Sequence, residues 1–445
     1  MRDLMFLGAM FVLVPLALSN AYVAMLIWAW TGLIAIDNYL YGFMEAIRLN
    51  LIFALITLML LLTKRDPERA VWQWNPSTAI LVALVIHVTL SATFGYSGNR
   101  ENWMLYERFV KIAIFAILMP LAVNSRYRIH AFVVVIALGM GFHGLIDGLK
   151  FLSSGGGHIV RGFRKFGDNN HFAVMLAMAI PLMLYLARYA NSRILRLGAV
   201  FATVITIAAV IGTRSRGGFV ALAAAGLWYL ITSRQRMAGL VVVVAGAVLV
   251  LNFAPASWTE RMQTIKEADQ DSSFMSRVEA WQVSSAIAMH NPLLGGGLHA
   301  VQVQSVWERF RGNRGILPFV DTGRPSEIFR AAHSIYFETM GDLGFVGFGL
   351  FMALILRALY VGLTIGGKAR MLGPDWEWAV DLGRALASVI VVFMVGGLTV
   401  SIAYSELIYM VVVLAELLRT QVDRARASMP APTDKRSAVN RMVHR

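Results

Sequence analysis

The hydrophobic positions of this chain fall into long, nearly continuous runs separated by short polar or basic stretches. Most runs are close to the ~20 residues that a helix needs to cross a bilayer. The first is long and is interrupted around Pro15 and Ser19-Asn20. The pattern predicts twelve spans, at residues 4–36, 42–63, 76–95, 103–123, 129–150, 169–190, 194–213, 217–232, 237–254, 333–362, 381–403 and 406–420.

The composition supports this prediction, because 58% of the 445 residues are hydrophobic and only 15% are charged. Soluble domains carry about 25% charged residues. We therefore predict an all-α, polytopic integral membrane protein with about twelve transmembrane helices and one large loop. The expected parts are a transmembrane bundle (1–254), a large loop with amphipathic helices (255–332), further transmembrane helices (333–420) and a basic tail (421–445).

The basic residues predict how the chain is oriented. Lysine and arginine number 40 against 26 acidic residues, a net charge of +14, and they concentrate in alternate loops and the tail. By the positive-inside rule these loops and both termini are cytoplasmic. Since topology accounts for most of the charge, no nucleic-acid partner is needed. The large loop then lies outside, where its eight basic and eight acidic residues balance.

Within the large loop, Ser276 and Glu279 have the spacing of a capping box that opens a helix. Asn291-Pro292 and the glycines at 295–297 would end that helix. We expect it to be amphipathic and to lie over the membrane face.

The absence of cysteine excludes disulfides, thiolate catalysis and cysteine-ligated metals. One Asp-x-Asp pair, Asp269 and Asp271, has the spacing of a divalent-cation site in sugar transferases. It lies in an acidic run that a solvated loop explains more simply. We predict no metal site.

Basic residues in short outside loops oppose the positive-inside rule and need another explanation. Guanidinium groups pair bidentately with phosphate oxygens, so a lipid phosphate or pyrophosphate is a fitting ligand. Headgroup anchoring and internal ion pairs are the alternatives. Gly217 and Gly218 would let backbone N–H groups approach the same anion. The basic residues concerned are Arg161, Arg164 and Lys165 in one loop, which continues to Asp168 and Asn170, and Arg214 and Arg216 in the other.

His333 precedes the span that follows the large loop. The positive end of a helix dipole disfavours imidazolium, which would keep the ring neutral and able to accept a proton. A buried structural histidine is the alternative. Further along this helix, an aromatic and small-residue stripe could pack against another helix or guide a lipid chain; it comprises Phe337, Met340, Gly344, Gly347 and Phe351.

These features resemble the O-antigen ligase and polymerase superfamily of bacterial envelope glycosyltransferases. The order of the motifs, the number of spans and the loop before the histidine all correspond. The matching segments are Phe166 to Ala173, Ser215 to Leu222, Ser276 to Trp281, Asn291 to Gly297 and His333 to Glu338, continuing to Gly341–Gly344.

The resemblance implies a metal-independent, cofactor-free enzyme of the bacterial inner membrane that transfers a glycan from undecaprenyl diphosphate at the periplasmic face. Direct displacement would invert the anomeric centre. His333 would activate the acceptor hydroxyl. Carried onto this chain, the resemblance assigns pyrophosphate binding to Arg214, Arg216 and Arg277, and secondary substrate contacts to Arg161, Arg164, Lys165, Asp168 and Asn170.

The acceptor remains open on the sequence alone. Lipid A-core would make the protein an O-antigen ligase, our first expectation. A second lipid-linked glycan would make it a polymerase, and a protein serine or threonine would make it an O-oligosaccharyltransferase. Charged residues in or near apolar spans, such as Glu45, His143 and Asp147, raise a rival from another class, a lipid-linked oligosaccharide flippase or other transporter.

Overall fold

Every regular element in the described part of the computed structural model is a helix, as predicted. The structure describes residues 2–40, 47–63, 74–162, 167–232, 237, 240, 243–248 and 272–429. The α-helices named below are α1 (Arg2–Ser19), α2 (Ala21–Ile34), α3 (Leu49–Thr63), α4 (Pro76–Phe94), α5 (Arg100–Ala122), α6 (Arg126–Ser153), α7 (Asn169–Tyr189), α8 (Arg193–Gly212), α9 (Arg216–Thr232), α10 (Ser272–His290), α11 (Gln304–Phe310), α12 (Ile335–Arg370), α13 (Glu377–Gly396) and α14 (Glu406–Ala427).

Within those residues, six helical segments are long and apolar enough to cross a membrane: α4, α6, α7, α8, α12 and Pro374–Gly396, which contains α13. The first predicted segment divides at Asn20, whose side chain accepts a hydrogen bond from Tyr22 N at 2.8 Å and caps α2. The count of twelve spans and the outside position of the large loop stay predictions. The predicted span at 237–254 lies largely outside the described residues.

Helix α7 is at the centre of the bundle. Every residue from Phe172 to Tyr185 is buried, as expected of a helix that is apolar on all sides. It packs against α6, α8, α9 and α13. Beside it, α6 and α8 approach closely at Gly144. A Cβ atom at this position would lie 2.3 Å from Thr206 Oγ1 of α8, so the contact requires a glycine. Small residues permit such contacts between membrane helices.

The helix ends form two opposite faces of the bundle. We call one the histidine end, because it carries His171, His299 and His333; it contains the starts of α5, α7, α9 and α12 and the end of α4. The other, the basic end, contains the starts of α4, α6 and α8 and the ends of α7, α12 and α14. Its described basic residues include Arg126, Arg128, Arg188, Arg193, Arg196, Lys368, Arg370, Arg419, Arg424 and Arg426.

Helix α12 is kinked near its start at Gly344, which has φ 67°. The kink releases backbone carbonyls that a straight helix would use internally. Gly296 N donates to Gly341 O at 2.9 Å, Gly297 N to Asp342 O at 2.9 Å, and Ser91 Oγ to the same Asp342 O at 2.7 Å. The glycine turn after α10 is therefore interlocked with the kink, which fixes the start of α12.

The same packing decides the role of the small-residue stripe on α12. Gly344 lies against the glycine turn, and a Cβ atom at Gly347 would meet the His87 ring at 2.6 Å. Phe337 stacks on Trp281, with ring centroids 5.1 Å apart. The stripe therefore packs against other parts of the protein and does not form a surface for a lipid chain.

Helix α10 ends where the sequence predicts, at His290 before Asn291-Pro292. Its predicted start at Ser276 does not agree with the structure. It already includes Ser272, so Ser276 is an interior residue and the predicted capping box is wrong. The carboxylate of Glu279 instead accepts a hydrogen bond from Ser326 N at 2.6 Å. A tertiary contact has taken the side chain that the local pattern assigned to capping.

Candidate active site at the histidine end

His333 lies two residues before the first residue of α12, with a left-handed backbone at φ 44°. In the described part of the chain, four non-glycine residues have positive φ: Ala35, Arg214, His299 and His333. Such conformations cost on the order of 1–3 kcal/mol and concentrate at functional sites. Two of the four are residues that the sequence predicts for the site.

Neighbouring contacts hold the His333 backbone in place from both sides. Trp281 Nε1 of α10 donates to Ala332 O at 2.6 Å, and Ile335 N donates to Gly397 O at 2.8 Å. The ring of Trp281 also stacks on Phe337, in the first turn of α12. The segment that carries the imidazole, just before α12, is thus held in place by contacts with α10 on one side and with the end of α13 on the other.

The environment of His333 keeps its imidazole neutral. Burial, then the nearby Arg277 and His171, lower the pKa of His333 to about 4, against a smaller opposing effect of Asp168. Nδ1 is buried and has no hydrogen-bond partner among the described residues. The neutral state predicted for His333 is supported. Its main causes are burial and the nearby Arg277, in place of the helix dipole that the sequence suggested. A buried polar atom without a partner is a place where a ligand can bind.

Arg277 is close enough for its charge to act on His333 because of its position on α10. It lies four residues before Trp281, so the two side chains project from the same side of the helix. Since Trp281 binds the carbonyl next to His333, Arg277 lies on the side of α10 from which its charge acts on the imidazole. The resemblance alone selected this arginine, and the structure brings it to the histidine.

A second histidine, His171 of α7, lies next to the first, with ring centroids 6.2 Å apart. Ser401 N donates to His171 Nε2 at 3.1 Å. A neutral imidazole has only one acceptor nitrogen, so this contact assigns the hydrogen to Nδ1, which faces Asp168 Oδ1 at 3.5 Å. Asp168 N also approaches Nδ1, at 3.4 Å, which would instead make Nδ1 the acceptor. We assign the hydrogen from the shorter Ser401 contact at Nε2. His171 therefore has its basic nitrogen occupied, whereas Nδ1 of His333 has no partner among the described residues.

Arg161 and Arg214 line a common open cavity of about 510 Å³, together with Asp168 and Asn169. Asn169 Nδ2 donates to Thr213 O at 2.8 Å and ties the two outside loops together. Arg214 reaches Gly156 O at 3.5 Å, and its Nε is buried without a hydrogen-bond partner among the described residues. The cavity thus presents two guanidinium groups to an entering anion.

The prediction for the glycines after Arg216 is wrong in one respect. Gly218 N donates to Ser215 Oγ at 3.0 Å, so this N–H is not available to an anion. A Cβ atom at Gly217 would lie 2.1 Å from Thr399 Oγ1, which shows that this glycine serves close packing. Arg216 itself is the half-buried first residue of α9.

Asp168 and Asn170 have clear local roles. The Asp168 carboxylate caps α7 by accepting from Asn170 N at 2.9 Å and His171 N at 3.0 Å, and Asn170 Nδ2 donates to it at 3.1 Å. Asp168 also lines the arginine cavity and affects the pKa of His333, so it connects the two groups of site residues. Arg164 and Lys165 lie outside the described residues.

Sequence reasoning missed the loop at 397–405 between α13 and α14. This loop contacts α12 through Gly397 O and through Ala403 N, which donates to Glu338 Oε2 at 3.2 Å. It contacts α7 through Ser401 and His171. His171 was visible in the motif around Asp168, but the loop has no chemical signal because it acts through its backbone.

Taken together, fold and site indicate a multi-pass membrane protein with a half-buried histidine and arginine site at one end. The family comparison identifies the protein further. Residues 201–352 match the family model described as O-Antigen ligase, and residues 1–191 match a family of unknown function, DUF5935. The first match, over about a third of the chain, confirms the resemblance to the O-antigen ligase and polymerase superfamily.

The two matched segments divide the candidate site between them. Arg214, Arg216, Arg277 and His333 lie in the O-antigen ligase segment. Asp168 and His171 lie in the other segment. No curated protein matches the chain significantly.

Proposed function

We propose that the protein transfers a glycan from undecaprenyl diphosphate to lipid A-core at the periplasmic face of the bacterial inner membrane. The family match supports a lipid-linked donor and an acceptor in the membrane. The observation that carries the proposal is a neutral histidine whose buried Nδ1 has no partner among the described residues and whose pKa responds to Arg277 and Asp168. Asp168 also lines the cavity of Arg161 and Arg214.

In the proposed reaction, His333 accepts the proton of the acceptor hydroxyl as its oxygen attacks the anomeric carbon. A new carbon–oxygen bond forms, and the bond to the diphosphate breaks with its electron pair leaving on the diphosphate oxygen. Arg214, Arg216 and Arg277 stabilise that charge, since cations placed where charge develops lower the barrier. The anomeric centre inverts in this single displacement, and no metal or cofactor takes part.

The remaining predicted residues shape the entrance. Arg161 lines the cavity with Arg214 and would contact the donor or acceptor near the surface. Asp168 and Asn170 hold the start of α7, so their contribution to substrate contact comes with a capping role. Arg164 and Lys165 keep their proposed role as secondary contacts.

The test is transfer by the purified full-length protein, reconstituted with an undecaprenyl-diphosphate glycan, in EDTA. Lipid A-core, a second lipid-linked glycan and a serine-containing peptide are offered separately. We expect product on lipid A-core with an inverted linkage by NMR, loss of transfer in Arg216→Ala, and unchanged transfer in Arg193→Ala, an exposed arginine of the basic end.

Product on the second lipid-linked glycan would identify the protein as a polymerase and contradict the ligase assignment. Product on the serine-containing peptide would identify it as an O-oligosaccharyltransferase. Loss of activity in EDTA would contradict the metal-independent mechanism and direct attention to Asp269 and Asp271, which lie outside the described residues. Movement of the donor across the bilayer with no transfer to any acceptor would favour the flippase.

A further inference from the structure

A second cavity, of about 300 Å³, lies at the basic end, far from the histidines. It is bounded by the start of α4, the end of α5 and the C-terminal half of α14. At the opposite end of α4, Ser91 donates to Asp342 O of α12, and Ser97 N, just beyond the helix, donates to Gly296 O of the glycine turn. This cavity is therefore on the other face of the bundle. It has no part in the proposed transfer reaction.

The lining of this cavity is amphipathic. Its inner part is apolar, with Leu81, Ala116, Val413 and Leu417 among the walls. Its outer part is polar or charged and carries Asn124, Thr420, Gln421 and Arg424. Trp74, 67% exposed, stands at the edge. Tryptophan is typical of the membrane interface, and ligand cavities begin at about 300 Å³.

Among the described residues, cations outnumber carboxylates in and around this lining. The described lining has two carboxylates, Glu416 and Asp423, and each is bound by cations from inside and outside the lining. Glu416 accepts from Arg357 at 3.1 Å and from Arg419 at 2.8 Å, while Asp423 accepts from Lys368 and Arg419 at 2.9 Å each.

Of these cations Arg419 belongs to the lining, and the exposed Arg424 is a second lining arginine. The surrounding basic end adds further arginines, and by the positive-inside rule it faces the cytoplasm. The cavity therefore lies where the headgroups of the cytoplasmic leaflet lie. Basic cavities between membrane helices on that side suit anionic headgroups.

We infer that this cavity binds an anionic phospholipid of the leaflet at the basic end. The headgroup phosphate lies at Arg424 and the edge of the Arg419 network, and the first part of an acyl chain follows Leu81, Ala116 and Val413. Apolar walls behind a cationic mouth match the two halves of such a lipid. A free phosphate ion would use only the mouth.

The test is native mass spectrometry of the purified full-length protein with phosphatidylglycerol, phosphatidylcholine or inorganic phosphate. We expect preferential binding of phosphatidylglycerol, weakened about fivefold in Arg424→Gln, as one basic residue near an anionic lipid contributes on this scale. Arg426→Gln, on the same helix outside the lining, is the matched control and leaves binding unchanged. Ala116→Leu fills the apolar part and weakens binding of the lipid.

Equal binding of the two lipids, or equal effects of the two arginine variants, would overturn the inference. Displacement of phosphatidylglycerol by millimolar inorganic phosphate would identify a phosphate site and overturn the lipid assignment. None of these measurements depends on glycan transfer, so they stand apart from the proposed function.

Discussion

The two ends of the molecule use the same residue types in opposite ways. At the basic end, several cations are paired with carboxylates: Arg188 contacts Asp381 at 2.8 Å, and Lys368 contacts Asp423 at 2.9 Å. At the histidine end, Arg161 and Arg214 line an open cavity, with no salt bridge to a described carboxylate. Paired arginines stabilise the fold, whereas arginines held open at a cavity are available to an anionic ligand.

The histidines show the same contrast. His130, at the basic end, is satisfied at both nitrogens, by Arg126 O at 2.9 Å and the Tyr185 hydroxyl at 2.6 Å. His333, at the other end, has a buried Nδ1 without a partner among the described residues. A saturated imidazole is structural, and an unsatisfied, neutral one can accept a proton or a ligand.

The largest expected effect is that of removing the proposed base. His333→Asn keeps a residue that tolerates the left-handed backbone but cannot accept the proton. We expect transfer to fall by about 10²–10⁴-fold, the usual contribution of a general base, with an unchanged melting temperature. The matched change His130→Asn should lower stability by about 1–3 kcal/mol through its broken hydrogen bonds and leave transfer rates intact.

Both variants are measured by transfer assays and thermal unfolding of the same preparations. If His333→Asn unfolds the protein and His130→Asn abolishes transfer, the contrast between the two ends is wrong.

The next effect compares two arginines. Arg214→Gln removes a proposed pyrophosphate contact, and loss of one such donor costs about 10²–10³-fold in turnover. Arg188→Gln instead breaks the pair with Asp381 and should cost about 1–3 kcal/mol of stability with little change in turnover. Turnover and chemical denaturation are measured for each. Equal losses of turnover would show that Arg214 has no special relation to the donor.

The smallest effect is a shift in pH dependence. Because the pKa of His333 is lowered to about 4, its imidazole stays neutral as pH falls through 6.5, and the acidic limb of kcat/KM should lie near pH 4. Arg277→Gln removes a nearby cation, so the pKa and this limb should move upward. A bound diphosphate adds negative charge, so the limb of kcat should lie at higher pH than that of kcat/KM. Profiles that start well below pH 4 and extend to pH 8 test both; an unmoved limb in Arg277→Gln would separate this arginine from His333.

The sequence predicted the all-α class and proposed several residues of the candidate site, because both rest on patterns that are visible locally. Long apolar runs specify helices, and Arg214 conflicts with the positive-inside rule by its position alone. The glycines after Arg216 and the capping box of α10 were misread for the converse reason. Gly217 packs on Thr399, and Glu279 binds the backbone of Ser326, through contacts that no local pattern contains.

The sequence by itself determined which segments are helical, that basic residues collect at one set of loops, and which few cations depart from that rule. These follow from hydrophobicity and charge, which each residue carries wherever it lies. Only the tertiary structure decided that His333 is unsatisfied while His171 is occupied. The difference comes from Ser401, which lies 230 positions from His171 and reaches it through a backbone N–H. Chain topology created that contact, and every non-proline residue could have supplied the same donor.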